Sequence, residues 1–99
     1  MPSYLLGIDN GGTVIKAGLY DLDGREAAVA GSKTQMSMPS PLFAERDAEE
    51  LWEANARAIS AVIRESGIDP AEIKAVATTG HGNGLYLVDE RGLPTYPGI

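Results

Sequence analysis

Asp9-Asn10-Gly11-Gly12-Thr13 sets a carboxylate beside two consecutive glycines and a hydroxyl, and Lys16 follows shortly after. Glycines let backbone N–H groups approach an anion closely. The Thr13 hydroxyl adds a side-chain donor, and Lys16 brings positive charge to the same place. Asp9 has the wrong sign to meet a phosphate directly, so its natural task is to hold a magnesium ion through water. A plain hairpin with Asn-Gly turn chemistry is the competing account of the same residues. A second cluster, Gly80-His81-Gly82-Asn83-Gly84, combines small residues with an imidazole and an amide. Small residues let a polyol approach the backbone, and His81 and Asn83 offer donors and acceptors suited to hydroxyl groups. Here the competing account is a flexible loop whose glycines satisfy backbone geometry alone. A dinucleotide fold needs a helix after such a loop and a different glycine spacing, so that reading fails.

The elements that must carry these clusters follow from pattern. Tyr4 to Asp9 reads as a buried strand entering the first turn, and Val14 to Asp21 as a second strand. Asp23-Gly24 is a hairpin signal, and Glu26 to Lys33 returns as a third strand, completing an antiparallel meander. Gln35 to Phe43, with its prolines and serines, reads as loop. Asp47 is the expected helix N-cap, with Glu50 completing a capping box, and the helix runs to Ser66 before Gly67 ends it. Trp52, Ala56, Ile59 and Ile63 form its expected packing face, flanked by Leu51, Ala58 and Val62. Asp69-Pro70 opens one short helical turn through Glu72. Ile73 to Thr79 is the fourth strand, parallel to the first because a helix crossover permits it. Leu85 to Asp89 is predicted as a fifth strand. Meander, helix, strand, strand is the opening half of a ribonuclease-H-like α/β domain.

Bulk properties bound the function. A chain of 99 residues, 43% hydrophobic and 22% charged, makes one small globular domain. Eight basic against 14 acidic residues, a net charge of −6, speak against nucleic-acid and membrane-surface partners. No cysteine is present, and a lone histidine argues against a zinc site. The start Met1-Pro2-Ser3-Tyr4 lacks the features of a signal peptide, so a cytoplasmic location is expected.

Gly7-Ile8-Asp9-Asn10-Gly11-Gly12-Thr13-Val14-Ile15-Lys16-Ala17, followed by Leu19-Tyr20-Asp21 and Asp23-Gly24, resembles the start of an FGGY-type carbohydrate kinase of the sugar kinase/heat-shock/actin superfamily. Phe43-Ala44-Glu45-Arg46-Asp47 before Leu51-Trp52 resembles that family's acidic loop-to-helix junction. Thr79 to Asp89 resembles its sugar-contacting loop and following strand. Within the family the pattern is most similar to the L-xylulose kinase-like branch, with erythritol kinases as the nearest competitor. Two departures keep the chemistry: Asn10-Gly11-Gly12 stands in place of the commoner pattern of one glycine and two hydroxyl residues, and Lys16 stands where glycerol kinases have an arginine.

The resemblance implies a partial actin-like ATPase domain, residues 1–99 forming the N-terminal part of the kinase's first domain. It implies ATP and Mg2+ as cofactors, a small sugar or polyol as substrate, and a homo-oligomer. Asp9, Asn10, Gly11, Gly12, Thr13 and Lys16 would meet the nucleotide phosphates, with Asp9 on magnesium through water. Gly80, His81, Gly82 and Asn83 would meet the sugar. The resemblance places the base, an aspartate, just downstream of a segment like Pro97-Gly98-Ile99 and so beyond Ile99; Asp89 is a poor substitute, because it sits at the far end of its strand from the Gly80 loop. Trp52 is expected in the core or at an interface, Asp47 as a cap rather than a substrate contact, and Met36 and Met38 as gap-fillers or exposed loop. A non-catalytic sugar- or nucleotide-binding relative and a self-associating fold fragment are the alternatives to an enzyme.

Overall fold

Side-chain alternation along the first strand, β1 (Tyr4–Asn10), sets which way the sheet faces: Leu6 and Ile8 are buried while Leu5 and Asp9 are exposed. The computed structural model describes residues 2–80, 82 and 84–99. From β1 the chain turns into β2 (Val14–Asp21) and β3 (Glu26–Lys33), each antiparallel to the strand before it. Leu6 pairs with Leu19 and Ile8 with Ala17, so Ile15, Ala17 and Leu19 join them on one buried face, with Ala30 beside them. The β2–β3 turn is closed by Asp21, whose carboxylate accepts from the N–H groups of Asp23 and Arg25 at 2.9 Å each. Gly24 supplies the left-handed residue the turn needs, at φ 85°.

Helix α1 (Ala48–Ser66) lies across β2 and β3 on that face. Asp47 caps it, its carboxylate accepting from the Glu50 N–H at 3.0 Å, and Gly67 ends it at φ 71° with its N–H on the Ile63 carbonyl. A 3-10 turn at Pro70–Glu72 then leads into β6 (Ile73–Gly80), which pairs parallel to β1. The sheet order β3-β2-β1-β6 is the ribonuclease-H-like α/β arrangement expected from the sequence. No helix among the described residues is long and apolar enough to cross a membrane.

Four expectations need correction. Residues 35–43 are not plain loop: β4 (Ser37–Ser40) and β5 (Phe43–Glu45) form a separate antiparallel pair. Pro41 occupies the second position of the connecting turn, where its fixed φ is favourable, so a proline that reads as a strand breaker helps close a hairpin here. Leu85 to Asp89 does not extend the sheet. It folds back on residues 93–99, with Leu85 and Ile99 exchanging backbone bonds at 2.7 and 3.0 Å and Thr95 N–H on the Leu87 carbonyl at 3.1 Å. Pro94 and Pro97 remove two donors from that ladder, leaving an isolated bridge between Val88 and Pro94.

The packing face of α1 keeps the expected Ala58, Val62, Ile59 and Ile63 but is rotated away from Trp52 and Ala56. Ala54, Ala58 and Val62 are buried, Ala56 is exposed, Ile59 and Ile63 are half-buried, and Trp52 is 72% exposed. Trp52 precedes Ala54 by two positions, about 200° around the helix. Small side chains let the helix settle on the sheet, and that advantage outweighs the larger apolar area of Trp52. Finally, the capping box at Asp47 is half formed. The Glu50 carboxylate turns instead to the Gln35 N–H and to Arg57, each at 3.2 Å. The complete box is at Asp69, with Glu72 accepting from its N–H at 3.0 Å.

Candidate functional site

Because β1 and β6 run parallel, their C-terminal ends meet at one edge of the sheet, the usual place for ligands in such folds. Asn10 of the first glycine cluster is the register partner of Gly80, which opens the second. Asp9 faces Lys16 across β1 and β2, and both are exposed on the sheet face away from α1. The sequence therefore places Asp9, Asn10, Gly11, Gly12, Thr13, Lys16 and Gly80 together. Gly82 is exposed just beyond. His81 and Asn83 lie outside the described residues.

The Gly11-Gly12-Thr13 connection is not a plain Asn-Gly hairpin turn. That turn requires positive φ at both central residues, yet among the described residues positive φ occurs at Gly24, Gly67 and Gly92 alone. Glycine is demanded at position 11 by space instead: a Cβ there would come within 2.7 Å of the Val14 carbonyl oxygen. Among the described residues, no acceptor takes the N–H groups of Gly11, Gly12 or Thr13. Three successive free donors at a strand end suit an anion. Gly80 and Gly82 differ, since a Cβ at either would meet nothing within 4 Å and neither has positive φ. Backbone geometry within this chain does not explain them.

Two residues that sequence reasoning left without a role hold the loop. The Asn55 amide of α1 donates to the Asn10 side-chain oxygen at 2.7 Å and to the Leu51 carbonyl at 2.8 Å. Arg46, at the end of β5, is 6% exposed and directs Nε to the Gly12 carbonyl oxygen at 2.9 Å, with Nη2 on the same oxygen. Its backbone exchanges two bonds with Gly98, at 2.8 and 2.7 Å. Next to it, Glu45 accepts from the Tyr96 hydroxyl at 2.9 Å, and that bond, with the carboxylate charge second, raises the Tyr96 pKa. Arg46 lies within the Phe43 to Asp47 stretch singled out in the sequence, but no local pattern marks its contact or that of Asn55, because each reaches a partner distant in the chain.

Two hollows flank the loop. One, about 410 Å³, lies on the open sheet face against Asp9, Lys16, Gly18, Tyr20 and Thr79. The Tyr20 ring covers Gly18 there, where a Cβ would meet its hydroxyl at 2.6 Å. The other, about 330 Å³, lies between the two glycine clusters against Asn10, Gly11, Leu51, Gly80 and Tyr86. The Asp9 carboxylate accepts no hydrogen bond and forms no ion pair among the described residues, and no three acidic, histidine or cysteine side chains converge among them. One exposed hard oxygen donor of this kind fits magnesium, which keeps most of its water and takes the rest of its ligands from phosphate.

Residues 4–99 match the model of the FGGY family of carbohydrate kinases, N-terminal domain. The chain is 40% identical over 94 residues to the L-xylulose/3-keto-L-gulonate kinase of Escherichia coli strain K12, covering 95% of this chain and 19% of that one. It is 33% identical over 97 residues to the glycerol kinase of Citrifermentans bemidjiense, covering 97% and 20%. The xylulose kinase from Rhodospirillum rubrum superposes with a TM-score of 0.84 at 26% identity, over 97% of this chain and 20% of that one. The chain thus spans about a fifth of the length of the curated relatives it matches.

Proposed function

The chain belongs to the FGGY family of carbohydrate kinases, and from that premise we propose that it opens the first domain of an ATP-dependent kinase of a pentulose such as L-xylulose. The observation that carries this reading is the run of three N–H groups at Gly11, Gly12 and Thr13 that find no acceptor among the described residues, with Asp9 and Lys16 beside it. Those donors and Lys16 would bind and orient the ATP phosphates and offset charge on the transferred group. Asp9 would hold Mg2+ through water, and the ion would supply further charge neutralisation. The loop from Gly80 to Asn83 would bind the sugar, whose hydroxyl oxygen forms a bond to the γ-phosphorus as the bond to the β-bridging oxygen breaks. The hydroxyl proton passes to an aspartate base in a later part of the enzyme. The rest of the first domain and the adenosine-binding domain are likewise supplied by that later part. A cytoplasmic location fits this role.

A pentulose as the substrate is supported by the 40% identity to a kinase of L-xylulose and 3-keto-L-gulonate, against 33% to a glycerol kinase. The test is coupled ADP release by the full-length enzyme over L-xylulose, D-xylulose, 3-keto-L-gulonate, glycerol and erythritol. Turnover on a pentulose supports the reading. Preference for glycerol or erythritol would move the substrate to a polyol, and ligand binding without turnover would favour a non-catalytic relative. Asp9→Asn should cut turnover about a hundredfold or more while leaving the sugar KM within about twofold, as loss of charge stabilisation in the transition state predicts. Equal activity in Asp9→Asn would remove the phosphate role from this loop.

A further inference from the structure

We propose that Arg46 is the positioning residue of the phosphate loop, fixing the Gly12–Thr13 peptide so that the Thr13 N–H faces the incoming phosphate. The inference rests on the phosphate-binding reading of Gly11 to Thr13 and adds a residue outside that loop to it. Arg46 is buried, and two of its guanidinium nitrogens converge on one oxygen, the carbonyl of Gly12. A trans peptide points its C=O and N–H in opposite directions. Drawing the Gly12 carbonyl toward Arg46 therefore turns the Thr13 N–H away from it, and no described residue accepts from that N–H. The next carbonyl, of Thr13, is held by the Thr34 N–H at 3.0 Å, so two consecutive peptides of the connection are fixed.

The guanidinium is itself anchored. Residue 46 exchanges both backbone bonds with Gly98, and neighbouring Glu45 receives the Tyr96 hydroxyl. A Cβ at Gly12 would lie 3.6 Å from Nη2, so the loop runs directly over the charge. Among the described residues, no carboxylate oxygen lies within 4.0 Å of Arg46, and Arg57 with Glu50 is the ion pair they contain. A buried cation without a counter-ion is unfavourable unless an anion comes near. Bound polyphosphate, across the Gly12–Thr13 peptide, is that anion. Lysine would keep the charge and lose the planar fork that fixes the carbonyl direction.

The experiment compares the full-length enzyme with Arg46→Met, Arg46→Lys and Arg46→Ala, measuring kcat, KM for ATP, KM for L-xylulose, melting temperature, and ATP affinity by calorimetry. Arg46→Met should lower kcat and ATP affinity about ten- to a hundredfold, the scale for losing preorganised donors, with the sugar KM within about twofold. Arg46→Lys should not recover kcat, whereas added guanidinium ion, unlike ammonium, should partly restore Arg46→Ala. Unchanged kcat and ATP affinity in Arg46→Met would overturn the assignment while leaving the kinase reading intact. So would full recovery by lysine, or parallel losses for both substrates that track a lower melting temperature. If the wild type binds ATP but turns over no sugar, the kinase reading fails, and the calorimetric comparison still decides the role of Arg46. If the wild type does not bind ATP, both readings fall.

Discussion

Gly11 and Gly82 ask opposite things of a residue without a side chain. At position 11 a Cβ would press on the Val14 carbonyl oxygen at 2.7 Å, so alanine must displace the backbone that aims the loop donors. Gly11→Ala in the full-length enzyme should therefore lower kcat by about a hundredfold, the scale for a misplacement of roughly 1 Å in a positioned group. At position 82 a Cβ meets nothing within 4 Å, so Gly82→Ala should leave stability within about 0.5 kcal/mol of wild type. If the sugar lies against that loop, Gly82→Ala raises the sugar KM and leaves the ATP KM alone. Steady-state kinetics with both substrates varied, together with thermal melts, check the pair. A Gly11→Ala enzyme with wild-type kcat would show that the loop tolerates the shift, and a Gly82→Ala enzyme with wild-type constants would take the second loop away from the sugar.

Among the elements, the contrast between Leu19 and Trp52 separates burial from apparent hydrophobicity. Leu19 is fully buried between β2 and α1, whereas Trp52 is 72% exposed on the far side of the helix. Urea denaturation should show Leu19→Ala losing about 2–5 kcal/mol and Trp52→Ala changing stability by less than about 0.5 kcal/mol. A large loss at Trp52 would mean that the helix packs as its larger apolar residues imply. The meander and the ends of α1 were legible because alternation, Asp23-Gly24, Asp47 and Gly67 each have a local physical cause. Of the helix face, Ala58, Val62, Ile59 and Ile63 were legible, whereas Ala54 was missed because it acts through smallness, which hydrophobic periodicity under-weights, and Trp52 and Ala56 face outward instead. Leu85 to Asp89 has strand composition, but its partner was decided by residues 93–99 and their two prolines. Of the candidate site, the free donors follow from the glycines, whereas the Arg46–Gly12 contact joins residues brought together by the tertiary fold alone.

At the scale of the whole molecule, α1 covers β2 and β3 and leaves much of the sheet open. Leu5 and Val29 are exposed on the face away from the helix, and Val76 is 58% exposed beyond its edge. Open apolar faces and unpaired edge strands invite another chain. The 99-residue chain by itself should therefore sediment above its monomer mass of 10.4 kDa at tens of micromolar, dissociating on dilution. A monomer throughout that range would show that these faces are tolerated in water. The place of β6 has a separate consequence, for the order of events during synthesis. β1 pairs on one side with β2, its neighbour in the chain, and on the other with β6, so that Leu5 meets both Tyr20 and Ala75. Hairpins close in about 1–10 μs, whereas ribosomes add about 5–20 residues per second. The meander can thus be complete on the ribosome for seconds before β6 has been translated. Throughout that interval the inner edge of β1 is bare, and the first glycine cluster waits without the strand that brings the second beside it.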